Sequence, residues 1–233
     1  LNEEKLIGDL LSSLKDYQKT SNYPFEIIIS DGGSKDKTTE IARKYTNKVF
    51  IHSENCRQKI SEGRNVGAQN ADGEILIFIN CDVRIENYDK FFEIIERKFI
   101  NQNFIALTFA VKVFPEEEKL SDKIFLSFYN RYFHLLNYLG MGMGRGECQI
   151  VKKQDFIAIG GYDENKVAGE DFDLFMRLRR KGKILFYQKF KIFESPRRYR
   201  KFGHWRILLS WFINAIAVLL FNKSISKQWE EVR

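Results

Sequence analysis

Cysteine is scarce in this chain of 233 residues. The three present, Cys56, Cys81 and Cys148, form no C-x-x-C pair. A disulfide scaffold or a structural zinc site is therefore not expected, and a reducing compartment is. Proline also numbers 3, and the 15 glycines follow no period, which excludes collagen-like and linker-rich classes. No apolar run reaches the roughly 20 residues of a membrane-crossing helix; Ile207 to Phe221 has 15. Acidic residues are absent from one long stretch, Ser195 to Trp229, which holds seven Lys or Arg. The chain has 38 basic and 31 acidic residues, so the net +7 resides in that stretch and the remaining 31 and 31 cancel. Such a segment favours phosphate on a nucleotide, lipid headgroup or nucleic acid; the plainer reading is a solvated charged face.

What is present is the composition of a globular protein, 44% apolar and 30% charged, long enough for one large domain or two small ones. Ile7, Leu10, Leu11 and Leu14 repeat at helical spacing after Asn2-Glu3-Glu4, a good helix start. Phe25 to Ser30 reads as a buried strand ending at Asp31-Gly32-Gly33-Ser34. A helix with Thr38, Ile41, Ala42 and Tyr45, a weak strand at 49–51, a helix over 58–71 and a buried strand over 74–79 follow. That strand ends at Asn80-Cys81-Asp82, and a helix covers 88–100. This alternation predicts an α/β fold with a mainly parallel sheet. Residues 104–114 then alternate like a half-buried antiparallel strand. A long aromatic helix at about 120–138, read mainly as core, precedes the glycine loop Gly140–Gly146, expected to be mobile. A helix from Glu170 and two short strands over 183–194 complete the pattern. Neither repeats nor low-complexity tracts appear.

In open α/β sheets, ligands bind beyond the carboxyl ends of parallel strands. Asp31 and Asp82 sit at such ends. Asp31, before two glycines, suits the base or ribose of a nucleotide, although a turn or cap aspartate is the commoner role. Asp82 suits a divalent cation carried with a diphosphate, with an ordinary turn residue as the alternative. Glu170 and Asp171 open a helix whose positive end favours their ionised forms, as a general base requires.

In order, Leu1–Glu4, Ser30–Ser34 with Thr38, Arg64–Gly67, Asn80–Asp82, Gly160–Glu164, and Glu170–Asp171 with Arg177 and Gly182 resemble a family 2 glycosyltransferase of GT-A fold. The resemblance runs from residue 1 to about 203. It implies a nucleotide-sugar half over about 1–100 and an acceptor half over about 101–203. Glu3, Asp31 and Gly33 would hold the nucleoside of a nucleotide-diphospho-sugar, with Arg64 near the base or diphosphate. Asn80 would reach the ribose, and Asp82 would bind Mg²⁺ or Mn²⁺, offsetting charge on the departing diphosphate. Asp171, beside Glu170, would deprotonate the acceptor hydroxyl, and transfer would invert the anomeric centre. Two departures stand out. Asn80 replaces the first Asp of the family's Asp-x-Asp, so metal binding leans on Asp82. The family's opening strand is also missing before Leu1, so about ten further residues, forming that strand, are expected in the natural chain.

Residues 204–233 read as a basic, apolar helix and tail. Arg197, Arg198 and Arg200 are expected to grip donor or acceptor phosphate, and His204 is a candidate further metal ligand. Trp205, Trp211 and the flanking cations give 207–221 the character of an interfacial helix. A peripheral enzyme at the cytoplasmic face of the membrane is expected, with a polyprenyl-phosphate or lipid-linked glycan acceptor. The alternative is a soluble glycosyltransferase in which 207–221 is an oligomer interface. Nucleic acid is not an expected partner, because Asp31, Asp82 and Asp171 repel a polyanion.

Overall fold

The computed structural model describes residues 1–53 and 57–221. Cys56 and the basic residues Lys223 and Lys227 lie outside this range. Helix α1 (Ile7–Thr20) lays Ile7 and Leu11 against Ala42 of α2 (Thr38–Arg43) and Ile29 of β1 (Ile29–Asp31). Strand β1 pairs in parallel with β2 (Val49–Ile51) as a two-stranded sheet. Helix α3 (Ile60–Gln69) leads into β3 (Ile75–Ile79), followed by β4 (Val83–Arg84). Helix α4 (Tyr88–Ile94) continues as a wider π-type turn through Ile100. Then come β5 (Ala106–Val113), α5 (Leu120–Tyr138), β6 (Cys148–Lys152), α6 (Lys153–Ala158) and α7 (Glu170–Arg179). The described chain ends with β7 (Ile184–Glu194), α8 (Arg197–Phe202) and α9 (His204–Phe221).

A second sheet has the order β3-β6-β5-β7-β4. Its side chains alternate between two cores, as strand geometry requires. Leu107, Phe109 and Val111 of β5 meet Phe91, Ile95 and Phe99 on one face. Ala106 with Leu76 and Val151 meets Leu174, Phe175 and Leu178 of α7 on the other. Helices α5 and α9 pack on each other, with Trp211 5.1 Å from Tyr129 and 6.3 Å from Phe125, ring centroid to centroid.

The sheet is mixed rather than mainly parallel. Strand β5 is antiparallel to β6 and parallel to β7, and all its residues but Lys112 are buried. Its alternation therefore reflects small against large core residues, not a wet face. Residues 184–194 form one strand, not two. The interruption is a bulge in which Phe109 pairs with Tyr187 but Ala110 with Lys191. Only Ile29–Asp31 of the Phe25–Asp31 run joins a sheet. Strands β1 and β3 do not pair with each other, and both line a common cavity. Among the described residues, no helix is long and apolar enough to cross a membrane.

The glycine loop is packed, not mobile. Residues 142–145 are buried, and a Cβ on Gly144 would lie 2.3 Å from the Phe175 ring. Gly142 adopts φ 73°, and a Cβ there would lie 2.7 Å from the Phe175 carbonyl oxygen. Close approach of this loop to α7, which only glycine permits, sets the position of Arg145 and Gly146 beside the start of that helix.

Candidate active site

A cavity of about 1690 Å³ runs from the α1–β1 region to α5 and α9. Its wall includes Glu3, Asp31, Arg64, Asn80, Asp82, Glu170, Asp171, Arg197 and Arg198. Residues spread over nearly the whole chain thus share one hollow. Gly33, Arg200 and His204 lie outside that wall.

The turn after β1 is held by Asp31. Its Oδ1 accepts hydrogen bonds from the backbone N–H of Gly33 (3.0 Å) and Ser34 (2.7 Å), and its Oδ2 accepts one from the Ser34 hydroxyl (2.5 Å). Gly33 makes the turn with φ 88°, and a Cβ there would meet the His52 carbonyl oxygen at 3.2 Å. The Asn2 N–H donates to Ser34 Oγ and the Glu3 N–H to Thr38 Oγ1, both at 2.7 Å. This fixes the Glu3 carboxylate at the cavity rim. There Arg197 joins it to Asp82: Nη1 is 3.0 Å from Glu3 and Nη2 3.1 Å from Asp82. The segment after Ser195 forms the helix α8, and one of its cations sits between the carboxylates of Glu3 and Asp82.

Arg64 of α3 ties the end of β3, the glycine loop and the start of α7 together. It donates to Asn80 Oδ1 (3.1 Å), to the Gly146 carbonyl oxygen (2.8 Å) and to Glu170 (3.3 Å). Its guanidinium lies 5.3 Å from the Tyr162 ring centroid. Burial, reinforced by the neighbouring Asp171, raises the Glu170 carboxyl to about 7, against the pull of Arg64. Burial also raises Asp171, while Arg64 and the Phe172 N–H pull it down. Both groups begin α7, whose N-terminus favours their charge. The Asp171 carboxylate packs on Gly146, where a Cβ would be 3.0 Å from Oδ2. A half-buried carboxylate with a raised pKa, facing a cavity, is equipped to take a proton.

The raised Glu170 pKa has a consequence for stability. The folded state binds this proton more tightly than the unfolded one, so stability present below about pH 4.5 is lost as pH rises toward 7. Glu170→Gln is expected to flatten the fall in Tm between pH 5 and pH 8. A variant whose Tm falls as steeply as wild type would show that Glu170 is not held in this way.

Two sequence expectations are corrected. His204 Nε2 is 2.8 Å from Asp122 Oδ1, and its ring stacks on Tyr199 at 5.2 Å. It serves α5–α9 packing rather than a metal. Arg200 is bound to the same carboxylate at 2.5 Å and to the Glu117 carbonyl oxygen, so it does not face a phosphate in the cavity. Burial opposes ionisation of Asp122, but Arg200, the Lys119 N–H and His204 together pull it down to about 2. Among the described residues, no group of three or more His, Cys, Asp or Glu is placed to hold a metal ion.

Sequence reasoning missed the cluster behind Asp171. Arg145 is fully buried and salt-bridged to Glu147 at 2.9 Å and to Glu194 at 3.6 Å. Tyr199 donates to Glu194 at 2.6 Å. A lone arginine between two glycines was the available signal.

A family model, glycosyl transferase family 2, matches residues 1–159. The chain belongs to glycosyl transferase family 2. A glycosyltransferase of Haemophilus influenzae, named as uncharacterized, is 28% identical over 190 residues, 76% of this chain and 58% of that protein. The poly(ribitol-phosphate) β-N-acetylglucosaminyltransferase of Staphylococcus aureus is 35% identical over 86 residues, 35% of this chain and 14% of that protein. The chain thus spans less than two thirds of either relative. Among solved structures, a mannosyltransferase from Pyrobaculum calidifontis in complex with GDP-mannose and Mn²⁺ superposes with a TM-score of 0.71 at 18% identity, covering 94% of this chain and 61% of that one. Glucosyl-3-phosphoglycerate synthase from Mycobacterium tuberculosis, with Mn²⁺, UDP and phosphoglyceric acid, gives 0.63 at 14% identity, covering 94% and 74%. The family 2 chain has the GT-A fold.

Proposed function

We propose that this family 2 chain transfers a sugar from a nucleotide-diphospho-sugar to an acceptor hydroxyl, with inversion. The observation that carries this reading is the single cavity shared by Asp31, Asp82 and Asp171. The nucleoside would lie over the Asp31 turn and Glu3, with the diphosphate toward Asp82, Arg64 and Arg197. Arg198, also on the cavity wall, would add charge there. Asp171 would take the proton of the attacking hydroxyl. Withdrawal of that proton as the sugar leaves the diphosphate makes the oxygen a competent nucleophile.

A divalent cation fits this donor set. Asp82 and Glu3 already converge on one cation, the Arg197 guanidinium, and carboxylate plus phosphate oxygens suit Mg²⁺ or Mn²⁺. Asp82 would hold the ion, with Asn80 contributing no charge. When bound, the ion would offset negative charge on the departing diphosphate. The metal-bearing mannosyltransferase and synthase of the same fold support the reading. Arg197→Ala frees Asp82 from its guanidinium. It is expected to tighten Mn²⁺ binding to the donor-free protein about two- to fivefold, the worth of a partly exposed ion pair, read by electron paramagnetic resonance of free Mn²⁺. Equal or weaker binding would place the ion away from Asp82.

The acceptor is proposed to be presented at the cytoplasmic face of a membrane. Ile124, Phe128 and Leu135 of α5 and Leu209, Phe212 and Ile216 of α9 are exposed, on two helices that touch. Trp205, 83% exposed, and the exposed Lys201 and Arg206 border them. Apolar side chains flanked by Trp and cations suit an interfacial helix.

A thermal-shift panel of UDP-, GDP- and dTDP-sugars, with and without Mn²⁺, tests the donor half of this reading. Ligand at 100 times its Kd stabilises by about 2.7 kcal/mol, so the correct donor is expected to raise Tm by several degrees. No shift from any of the three nucleotides at millimolar concentration would contradict the reading.

A further inference from the structure

Arg145 is 2% exposed, and its hydrogen bonding is incomplete. Nε and Nη2 donate to the two oxygens of Glu147 at 3.1 and 2.9 Å. The guanidinium lies 5.1 Å from the Tyr129 ring centroid and 5.7 Å from that of Phe133. Among the described residues, Nη1 has no hydrogen-bond acceptor. Leaving a buried charged donor unmatched is costly, and such a group in a folded protein calls for a reason.

Its location supplies one. Arg145 lines the cavity together with Tyr129, Phe133, Met143 and Trp211, at the α5–α9 end and away from the Asp31 turn. The next residue, Gly146, is the one against which the Asp171 carboxylate packs. An unused donor, aromatic walls and the candidate base therefore meet in one part of the cavity.

The chemistry of the ligand follows from charge and shape. Arg145 is already paired with Glu147 and lies 3.6 Å from Glu194. At this end of the cavity an incoming phosphate would meet Glu147 and Asp171 beside a guanidinium that is already neutralised. A neutral hydroxyl oxygen accepts from Nη1 without that penalty. Aromatic ring faces cover the apolar C–H face of a sugar, and a few placed polar groups orient it.

We propose that Arg145 is an acceptor-binding residue and that the acceptor offers a neutral polyhydroxylated ring, a sugar or cyclic polyol, whose oxygen takes the Nη1 hydrogen bond while a neighbouring hydroxyl faces Asp171. This rests on the glycosyltransferase reading. It selects a glycan over a polyprenyl phosphate as the reacting end of the acceptor.

The test is saturation-transfer NMR on the full chain with Mn²⁺ and whichever of UDP, GDP or dTDP binds. The probes are methyl glycosides of glucose, galactose, mannose and N-acetylglucosamine, and farnesyl phosphate. At least one glycoside is expected to bind wild type. Its Kd is expected to rise at least tenfold in Arg145→Met and in Arg145→Met/Glu147→Gln, which removes both charges of the pair, while nucleotide affinity stays within twofold. That preserved affinity separates loss of a contact from loss of the fold. Glycoside binding unchanged in either variant, no glycoside binding to wild type, or saturable binding of farnesyl phosphate in their place would overturn the proposal. The wild-type comparison decides between ring and phosphate even if both variants fail to fold. Failure of all three nucleotides to bind wild type would instead sink the glycosyltransferase reading itself.

Discussion

Asp171→Asn is expected to lower kcat about a thousandfold and to leave the KM for the nucleotide-sugar nearly unchanged. A positioned general base contributes about 10²- to 10⁴-fold. Asn keeps the size of the side chain and the hydrogen bond from the Phe172 N–H, now 2.8 Å long. What it loses is the ability to accept the proton. Burial raises the Asp171 carboxyl, which makes it more basic than a solvated aspartate, and Arg64 restrains that rise. Asp171 packs on Gly146, away from the Asp31 turn, so donor affinity has little reason to change. Steady-state kinetics with initial-rate variation of donor and acceptor separates the two parameters. A loss below about tenfold would mean the acceptor needs no base, as a phosphate acceptor would not.

Lys166→Met is expected to cost about 3–5 kcal/mol of stability, the usual result of removing one partner from a buried ion pair. Lys166 is 2% exposed. Its ammonium contacts Asp163 and lies 3.0 Å from Asp173, and Asp173 also binds Arg177 at 2.7 Å. The Ser61 hydroxyl reaches the Lys166 carbonyl oxygen at 3.4 Å. The Lys166 side chain therefore ties the segment before Gly169 to α7, while its carbonyl oxygen ties it to α3. Met fills similar volume, so the loss reports charge rather than a cavity. Asp163 and Asp173 would be left beside one another with only Arg177 to balance them. Urea denaturation measures the difference directly. A change under about 1 kcal/mol would show that the pair's desolvation cancels its attraction. A secondary fall in activity is expected, because the same segment positions Glu170 and Asp171.

Most of the elements could be read from periodicity, because helices such as α1 and α5 each bury one face. Strand order could not. Cys148–Lys152 carries no turn signal or alternation that marks it as a strand, yet it pairs with both β3 and β5 and makes the sheet mixed. The exact alternatives for Asp31 also needed coordinates: it does hold its own turn, as many such aspartates do, and it lines the cavity as well. The basic stretch after Ser195 looked like one functional unit. Folding splits it, because α8 turns Arg197 toward Glu3 and Asp82 and Arg200 toward the buried Asp122. A helix rotates successive residues by about 100°, so neighbours in sequence serve different partners. The Arg145–Glu147–Glu194 cluster was invisible for a different reason. Arg145 and Glu147 are close in the chain but Glu194 is distant, and a buried charge announces itself only when its partners arrive.

The most direct measurement is a crystal structure of the chain with Mn²⁺ and the nucleoside diphosphate that gives the largest thermal shift. Density for the base over the Asp31 turn, the diphosphate between Asp82 and Arg64, and open space between its terminal phosphate and Asp171 is the expected result. A nucleotide bound outside this cavity, or bound with its diphosphate turned away from Asp82, would contradict it.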